Sequence, residues 1–406
     1  MNILFVHQNF PGQYQHLAPA LVDQGHQVMA ICQGNPSRAV PGVDIHGYRL
    51  PRGNTPDVHP FAIEFESKVL RGEACGRLAE KLRESGFIPD VTLAHPGWGE
   101  ALYLKDVFPD TRLICFAEYY YRASGQDIGF DPEFPAPTFA DRARLRTKNA
   151  NLAIAFDVMD WGVAPTGWQA STHPAWVREK LSVIHDGINT DVAAPDPAAE
   201  IHLPDRRICA RPGDEVLTFI ARNLEPVRGY HIFMRALPDI LARRPRAKVF
   251  IVGGEDVSYG ARPESSSYRQ RYLDEVARRL DPSRVFFMGR VSYNVLLRLL
   301  QITRCHVYLT YPFVLSWSML EAMSAGALVV GSRTPPVEEV IIHEKNGLLV
   351  DFFDISELAN TVCSVLADPD AYAGLRLKGR QTIVEHYDLQ RISLPAQIRL
   401  LKESAT

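Results

Sequence analysis

The sequence predicts an α/β protein built from two Rossmann-like domains that face each other. Three observations lead there. The chain has 406 residues, too many for one compact core and suited to two domains of ordinary size. Short apolar runs alternate with helical patterns through both halves, which is the βαβα order of a mostly parallel, doubly wound sheet. A proline-containing stretch of little periodicity, Ala194–Gly213, separates the two series. In such sheets ligands bind beyond the carboxyl ends of the strands, so two facing domains would place the main site in the cleft between them.

The elements follow in order. Ile3–Val6 is a short buried run, and a Pro11-Gly12 turn follows it. Tyr14, Leu17 and Leu21 then recur at helical spacing until Gly25 stops them. Val28–Ile31, Asp90–Ala94, Leu113–Phe116, Leu152–Phe156 and Leu181–Ile184 read as further strands. Ala194–Gly213 carries Pro195, Pro197, Pro204 and Pro212 among charged and small residues. It reads as an interdomain linker, although a long surface loop within one domain has the same composition. The second half restarts with strands at Val216–Ile220, Lys248–Val252, Arg284–Met288, His306–Leu309, Leu328–Val330 and Gly347–Val350. Helical patterns at Ile355–Leu366 and Leu389–Leu401 finish the chain. The expected division is a first domain over 1–193, a linker over 194–213, a second domain over 214–385, and a terminal helix over 386–406 that packs back on the first domain.

Composition narrows the function classes. Hydrophobic residues make up 46% and charged residues 22%, with a net charge of −3. Nothing global therefore points to nucleic acid or a strongly anionic partner. Met1-Asn2-Ile3-Leu4-Phe5-Val6 leads straight into folded sequence, without a basic segment and a long apolar stretch behind it. No apolar run approaches the ~20 residues that span a bilayer, and a cytoplasmic protein is expected. None of the six cysteines lies in a Cys-x-x-Cys pair, and Cys32, Cys115 and Cys305 sit in or beside apolar runs. Buried reduced thiols fit this pattern better than disulfides or zinc. No His-Glu-x-x-His is present, and no structural metal is expected.

Two segments of the second half suit an anionic diphosphate, which needs fixed positive charge and backbone N–H donors. In Phe219-Ile220-Ala221-Arg222-Asn223-Leu224-Glu225-Pro226-Val227-Arg228-Gly229, Arg222 leaves a strand end and Arg228 precedes a helix that begins near Gly229. An Arg pair at such a turn also suits a solvated surface or a salt bridge. In Tyr311–Gly326 a strand ends, a loop turns, and a helix starts near Ser316, a plausible N-cap. The free N–H groups of that first turn, at Trp317 and Ser318, favour an anion. Glu321 follows among Leu320, Ala322 and Met323. A carboxylate among apolar neighbours must find donors or shift its pKa, and sugar hydroxyls would serve; an exposed Glu behind an N-cap Ser is the bland alternative.

The stretch Glu321-Ala322-Met323-Ser324-Ala325-Gly326-Ala327-Leu328-Val329-Val330 resembles the signature helix of the retaining GT-B glycosyltransferases of the large family four. Arg222 and Arg228-Gly229 resemble that family's Arg and Lys-Gly pair, with Arg in place of Lys. The resemblance continues in Ile251-Val252-Gly253-Gly254, Phe287-Met288-Gly289-Arg290-Val291 and Glu338-Glu339-Val340-Ile341, then in Asn346-Gly347-Leu348-Leu349-Val350. Phe10-Pro11-Gly12, Gly25-His26-Gln27-Val28 and Ser182–Asn189 resemble parts of its first domain, so the match covers nearly the whole chain. It implies the GT-B fold and transfer of a sugar from a nucleotide diphosphate, UDP or GDP, with retention and without a metal or other cofactor. Arg222 and Arg228 would neutralise the diphosphate and Glu321 would bind the ribose. Arg290 and Val291 would line the base pocket. Gly12, Gly253, Ser316, Trp317 and Ser318 complete the implied nucleotide-sugar site, with Gly12 allowing close backbone approach. The implied partners are the donor and a glycan or lipid-linked acceptor of polysaccharide, O-antigen or glycolipid synthesis, with peripheral contact at the inner face of a membrane.

The sequence departs from the family at two places. Phe313 stands where the first signature glutamate belongs, which leaves three readings: an unusual donor sugar, a replacement contact from a backbone N–H, or weakened catalysis. After Cys115-Phe116, where family members often carry a functional His, this chain has Ala117 and Glu118. Glu118 suits an acid–base or sugar-binding role, or a salt bridge to Arg122. His95, between a strand and a helix, is a second catalytic candidate, or a packed capping residue. Tyr119-Tyr120-Tyr121 with Trp98 suits a sugar platform or simply a core. Arg142, Arg144, Arg146 and Lys148 could touch anionic lipid or a phosphorylated acceptor, but such a run is more often a solvated helix face. Two other functions keep the same architecture: a non-hydrolysing nucleotide-sugar epimerase, and a nucleotide-sugar-binding protein without transfer.

Overall fold

Met1–Gly187 together with the chain from Gln390 onward form one compact unit, and Ile188–Leu389 form a second. The computed structural model describes residues 1–36, 38–203, 208–260, 262–263 and 266–402.

The first unit is built on seven parallel strands. They are β1 (Asn2–Val6), β2 (Gln27–Gln33), β3 (Val43–Tyr48), β4 (Val91–Ala94), β5 (Arg112–Phe116), β6 (Trp161–Ala164) and β7 (Leu181–Val183). Their order is β3-β2-β1-β4-β5-β6-β7. Ile3 to Val6 are wholly buried, as a central parallel strand covered on both faces requires. The order reverses between β1 and β4, and the loops that leave a reversal diverge and open a crevice. Leu152–Phe156, expected as a strand, is instead part of a helix, Ala150–Val158. Asn151, Leu152, Ala155 and Phe156 are its buried residues, a helical stripe that a short apolar run conceals. The strand comes later, at β6. The terminal helix Leu394–Lys402 belongs to this unit, with Arg112 Nη1 donating to the Leu400 carbonyl at 3.1 Å. It enters at Gln390 rather than 386, and residues 403–406 lie outside the described residues.

The second unit starts at Ile188, earlier than expected. Residues 194–213, expected as a linker, carry an antiparallel hairpin of β8 (Ile201–Leu203) and β9 (Ile208–Ala210). Ala199, Ile201 and Ala210 join the core of this unit. Their apolar side chains are what composition averaged over the stretch hides; Pro204 lies outside the described residues. The main sheet comprises β10 (Val216–Asn223), β11 (Lys248–Gly254), β12 (Val285–Gly289), β13 (Cys305–Tyr308), β14 (Leu328–Ser332) and β15 (Leu348–Val350). Its order is β12-β11-β10-β13-β14-β15, all parallel, with the reversal between β10 and β13. The amphipathic helix Tyr230–Arg243 follows β10, and the apolar helix Trp317–Ser324 follows β13. A further helix, Ala373–His386, precedes the return to the first unit. No helix among the described residues is long and apolar enough to cross a membrane.

Candidate active site

Each unit gathers polar side chains at its own sheet reversal. In the second unit, β10 ends in Arg222 and Asn223, and a single turn of 3-10 helix, Pro226–Arg228, leads into Gly229. Gly229 has φ 68° and no room for a Cβ against Leu309. That turn carries Arg228 inward, where it is buried at 8% exposure. Its Nη1 donates to the Thr310 hydroxyl and the Val314 carbonyl at 3.0 Å each, and to the Tyr308 hydroxyl at 3.2 Å. The guanidinium carbon lies 5.6 Å from the Tyr259 ring centre and 5.7 Å from that of Phe313, within cation–π range. Neutral acceptors and rings hold the cation in place without cancelling its charge. Arg222 is exposed, with no hydrogen-bond or ion-pair partner among the described residues.

Glu225 is the counterweight. It is fully buried, and its carboxylate accepts from the backbone N–H of Tyr259 at 3.0 Å and of Ser258 at 3.2 Å. Burial raises its pKa to about 7 against the pull of those N–H groups and of Arg228 and Arg222. Asn223 ties the same loop down, donating to Ser258 Oγ at 2.7 Å and accepting from Arg290 at 3.1 Å. Arg290 also pairs with Asp256 at 3.0 Å on the surface. Val291 is half-buried against the core. Gly253 packs where a Cβ would come within 2.7 Å of Leu224.

After β13, Ser316 caps the helix Trp317–Ser324, its hydroxyl accepting from Ser318 N at 3.4 Å. Its own N–H donates to Tyr308 Oη at 2.8 Å, so one tyrosine links the cap to Arg228. Glu321 is half-buried. Desolvation raises its pKa, and a hydrogen bond from Tyr293 works the other way. Phe313 is buried, with its ring 4.6 Å from Tyr259 at 60°.

In the first unit, His7 follows β1, His95 follows β4 and Glu118 follows β5, on three neighbouring strands. His95 is buried; its Nδ1 accepts from Gly97 N at 3.1 Å and its Nε2 lies 3.5 Å from Glu118 Oε2. Trp98 lies 4.3 Å from His95 between ring centres, tilted by 31°, and meets His7 edge-on at 4.9 Å. Burial, then the neighbouring His95, push the His7 pKa down to about 3, so the ring is neutral. Gly12 has φ 48°, and a Cβ there would lie 2.5 Å from His7 Cε1 and Nε2.

Known proteins place this architecture. Residues 24–193 match the model of the glycosyl transferase family 4 group, and residues 204–382 match that of the glycosyl transferases group 1. The chain belongs to the group 1 glycosyltransferases. A GDP-mannose-dependent alpha-(1-6)-phosphatidylinositol monomannoside mannosyltransferase of Mycolicibacterium smegmatis is 24% identical over 223 residues, 51% of this chain and 52% of that protein. The chain thus spans about half the length of that relative. The glycogen synthase of Mycobacterium tuberculosis is 27% identical over 427 residues, 97% of this chain and 92% of that protein. Among solved structures, sucrose-phosphate synthase from Thermosynechococcus elongatus superposes with a TM-score of 0.72 at 19% identity, covering 100% of both chains. Anabaena HepE in complex with UDP and glucose gives 0.67 at 16%, again over 100% of both chains. These structures show the GT-B fold.

Within this group 1 glycosyltransferase, the expected site residues fall into two clusters. Arg222, Arg228, Gly253, Arg290, Val291, Ser316, Trp317, Ser318 and Glu321 lie in the second unit, and Gly12, His95 and Glu118 in the first. Glu118 faces His95, whereas Arg122 donates to the Ser171 and His173 carbonyls. The tyrosine platform separates: Trp98 joins the two histidines and makes no ring contact with Tyr119, Tyr120 or Tyr121. Tyr119 donates to Asp127 at 2.8 Å, and Lys148 lies 4.1 Å over Tyr121. Arg142 and Arg144 bind their own helix start, Pro137 O at 2.6 Å and Asp141 at 2.7 Å. Among the described residues, Glu200, His202 and Cys209 lie together on the β8–β9 hairpin, with Arg211 already 3.6 Å from Glu200. Sequence reasoning missed His7, Glu225, Tyr259, Tyr293, Tyr308 and Thr310. His7 and Glu225 carried a signal, a polar residue directly after an apolar strand run; the tyrosines and Thr310 did not.

Proposed function

We propose that the protein moves a sugar from a UDP- or GDP-linked donor to a glycan or lipid-linked acceptor, with retention of configuration and without a metal. The observation that supports this best is Arg228: a buried cation oriented by neutral groups, whose Nε and Nη2 have no partner among the described residues. A leaving diphosphate gains most from a fixed positive group whose reorganisation has been completed in the fold. Arg222 adds a second, exposed cation at the same strand end. Glu321, with Tyr293 donating to it, is an acceptor for ribose hydroxyls. The helix start at Ser316–Ser318 supplies further N–H donors. The donor reading draws on a relative named as GDP-mannose-dependent and a solved structure in complex with UDP and glucose. The His95–Glu118 pair of the first unit suits hydrogen bonding to an acceptor hydroxyl.

The test is to incubate the protein with UDP-, GDP- and ADP-sugars, with and without oligosaccharide or lipid extracts. Release of nucleoside diphosphate with a glycosylated product is expected. Arg228→Ala is expected to weaken nucleoside diphosphate binding by a factor of about 10–100, the worth of one charge-assisted contact, and Glu321→Ala by less. Normal binding by both variants would remove the assignment, and binding without turnover throughout would favour a nucleotide-sugar-binding protein.

A further inference from the structure

The β8–β9 hairpin is sorted by the two-residue period of a strand. Ile201, Leu203, Ile208 and Ala210 form one face and pack on the core of the second unit. Glu200, His202, Cys209 and Arg211 alternate with them on the other. Cys209 lies directly across from His202 in the register, and Glu200 stands two places before His202. One ligand atom from each of Glu200, His202 and Cys209 falls within 4.8 Å of the other two. A thiolate, an imidazole and a carboxylate make a zinc-type donor set. His202 Nε2 is 2.9 Å from Glu200 Oε1. Zinc bound to both at ~2.0–2.2 Å would open that gap to about 3.3 Å, which a small side-chain rotation supplies. The backbone beneath is already fixed: Lys248 Nζ donates to the Cys209 carbonyl at 2.8 Å and pairs with Asp214 at 2.9 Å, and Asp214 accepts from the Arg211 N–H at 3.2 Å. Two cations face the set. Arg211 hydrogen-bonds Cys209 and lies 3.6 Å from Glu200, and Arg298 acts on Glu200 from the helix Tyr293–Ile302. The Arg211 side chain is 67% exposed, and so loose a surface pair yields readily to a divalent ion. Spacing along the chain does not announce the set, because only the hairpin register brings Cys209 to His202.

We propose that Glu200, His202 and Cys209 bind one zinc ion, which staples the two strands of the hairpin together. The ion bonds to the sulfur, one imidazole nitrogen and one carboxylate oxygen, water takes the fourth place, and the Cys209 proton leaves to solvent. The site is separate from the transfer chemistry proposed above and does not rest on it. Cobalt(II), added to the full-length protein after chelator treatment and reduction, is the probe. The other five cysteines are buried, so a thiolate-to-cobalt charge-transfer band reports Cys209. A band that saturates at one equivalent and disappears on adding zinc is expected. Cys209→Ser should abolish it. His202→Ala should weaken cobalt binding by about tenfold or more, since losing a ligand costs at least what losing a supporting contact does. Arg211→Ala, which removes the competing cation at an exposed position, should tighten binding a few-fold. Zinc should raise the melting temperature of the wild type and leave that of Cys209→Ser unmoved. Magnesium, which demands oxygen ligands, should move neither. The wild-type spectrum and Arg211→Ala keep the outcome decisive if a ligand variant folds poorly. No band in the wild type, a band that survives Cys209→Ser, unchanged affinity in His202→Ala, or stabilisation by magnesium equal to that by zinc would each overturn the proposal.

Discussion

Glu225 and Arg228 flank Pro226-Val227 and share one environment, so the charge of the first bears on what the second can bind. Glu225 has a folded pKa of about 7 against an ordinary 4.5, with burial as the largest cause. The sign is fixed by linkage. Between those values the folded protein holds a proton that the unfolded chain has released, so this group lowers stability as pH rises from 4.5 toward 7. Over the same rise a negative charge appears beside the Arg228 cation. Nucleoside diphosphate binding should therefore weaken in the wild type relative to Glu225→Gln, by a few-fold or on the order of 1 kcal/mol, between about pH 6 and about pH 8. Calorimetric titration of both proteins cancels the ligand's own ionisation; a constant affinity ratio across that range would contradict the coupling. At this scale the sequence named the charged groups and missed their holders. Arg228 is readable from its place after an apolar strand. Tyr308, Thr310 and Tyr259, which orient it, come from the end of β13 and the loop after β11, and parallel sheets join neighbours that are distant in sequence. Phe313 is readable as a departure, and only the fold shows it against Tyr259 beside the cation.

Among the elements, the loop after β1 has the tightest backbone requirement near a candidate ligand group. Gly12 has φ 48°, and its missing Cβ is the space that His7 fills. Gly12→Ala should cost about 2 kcal/mol or more, from the left-handed backbone and the displaced imidazole together. His7→Ala removes the collision and leaves the backbone cost. The double variant should then be more stable than the sum of the singles by about 1 kcal/mol, measured by denaturant unfolding. Strict additivity would show that the loop relaxes without touching His7. Strands and helix starts were legible wherever an apolar run was bounded by turn residues, as at β1, β4, β5 and β10 to β15. Two failures have a physical cause. Leu152–Phe156 is too short an apolar run to distinguish strand from helix, and the deciding fact is a buried stripe that includes the polar Asn151. Ala194–Gly213 has linker composition, yet three small or apolar side chains anchor its hairpin to a core. Strand β3, Val43–Tyr48, escaped notice because no residue before Tyr48 in it is fully buried.

For the molecule as a whole, the two units carry different numbers of neutral buried histidines, and acid should separate them. In the first unit burial pushes His7 down to about 3, and His173 and His185 to about 4; in the second, His306 falls to about 3. A histidine depressed in the fold keeps its full stabilising effect above the unfolded value of 6.5 and loses it as pH falls toward the folded value, because the unfolded chain alone takes up the proton. Each such group removes roughly 1.4 kcal/mol per pH unit within its window. Buried or half-buried carboxyls with raised pKa act in the opposite direction, and they are equal in number: Glu100 and Asp127 in the first unit, Glu225 and Glu321 in the second. The surplus of two histidines should therefore make the first unit the more acid-labile. Hydrogen exchange of the full chain at neutral pH and near pH 5 should show protection of β1, β4 and β5 falling more than that of β10, β11 and β13. His173→Gln and His185→Gln, introduced together, should narrow the gap. An equal loss in both sheets, or a larger loss in the second, would mean that surface charge rather than these buried rings governs the acid response.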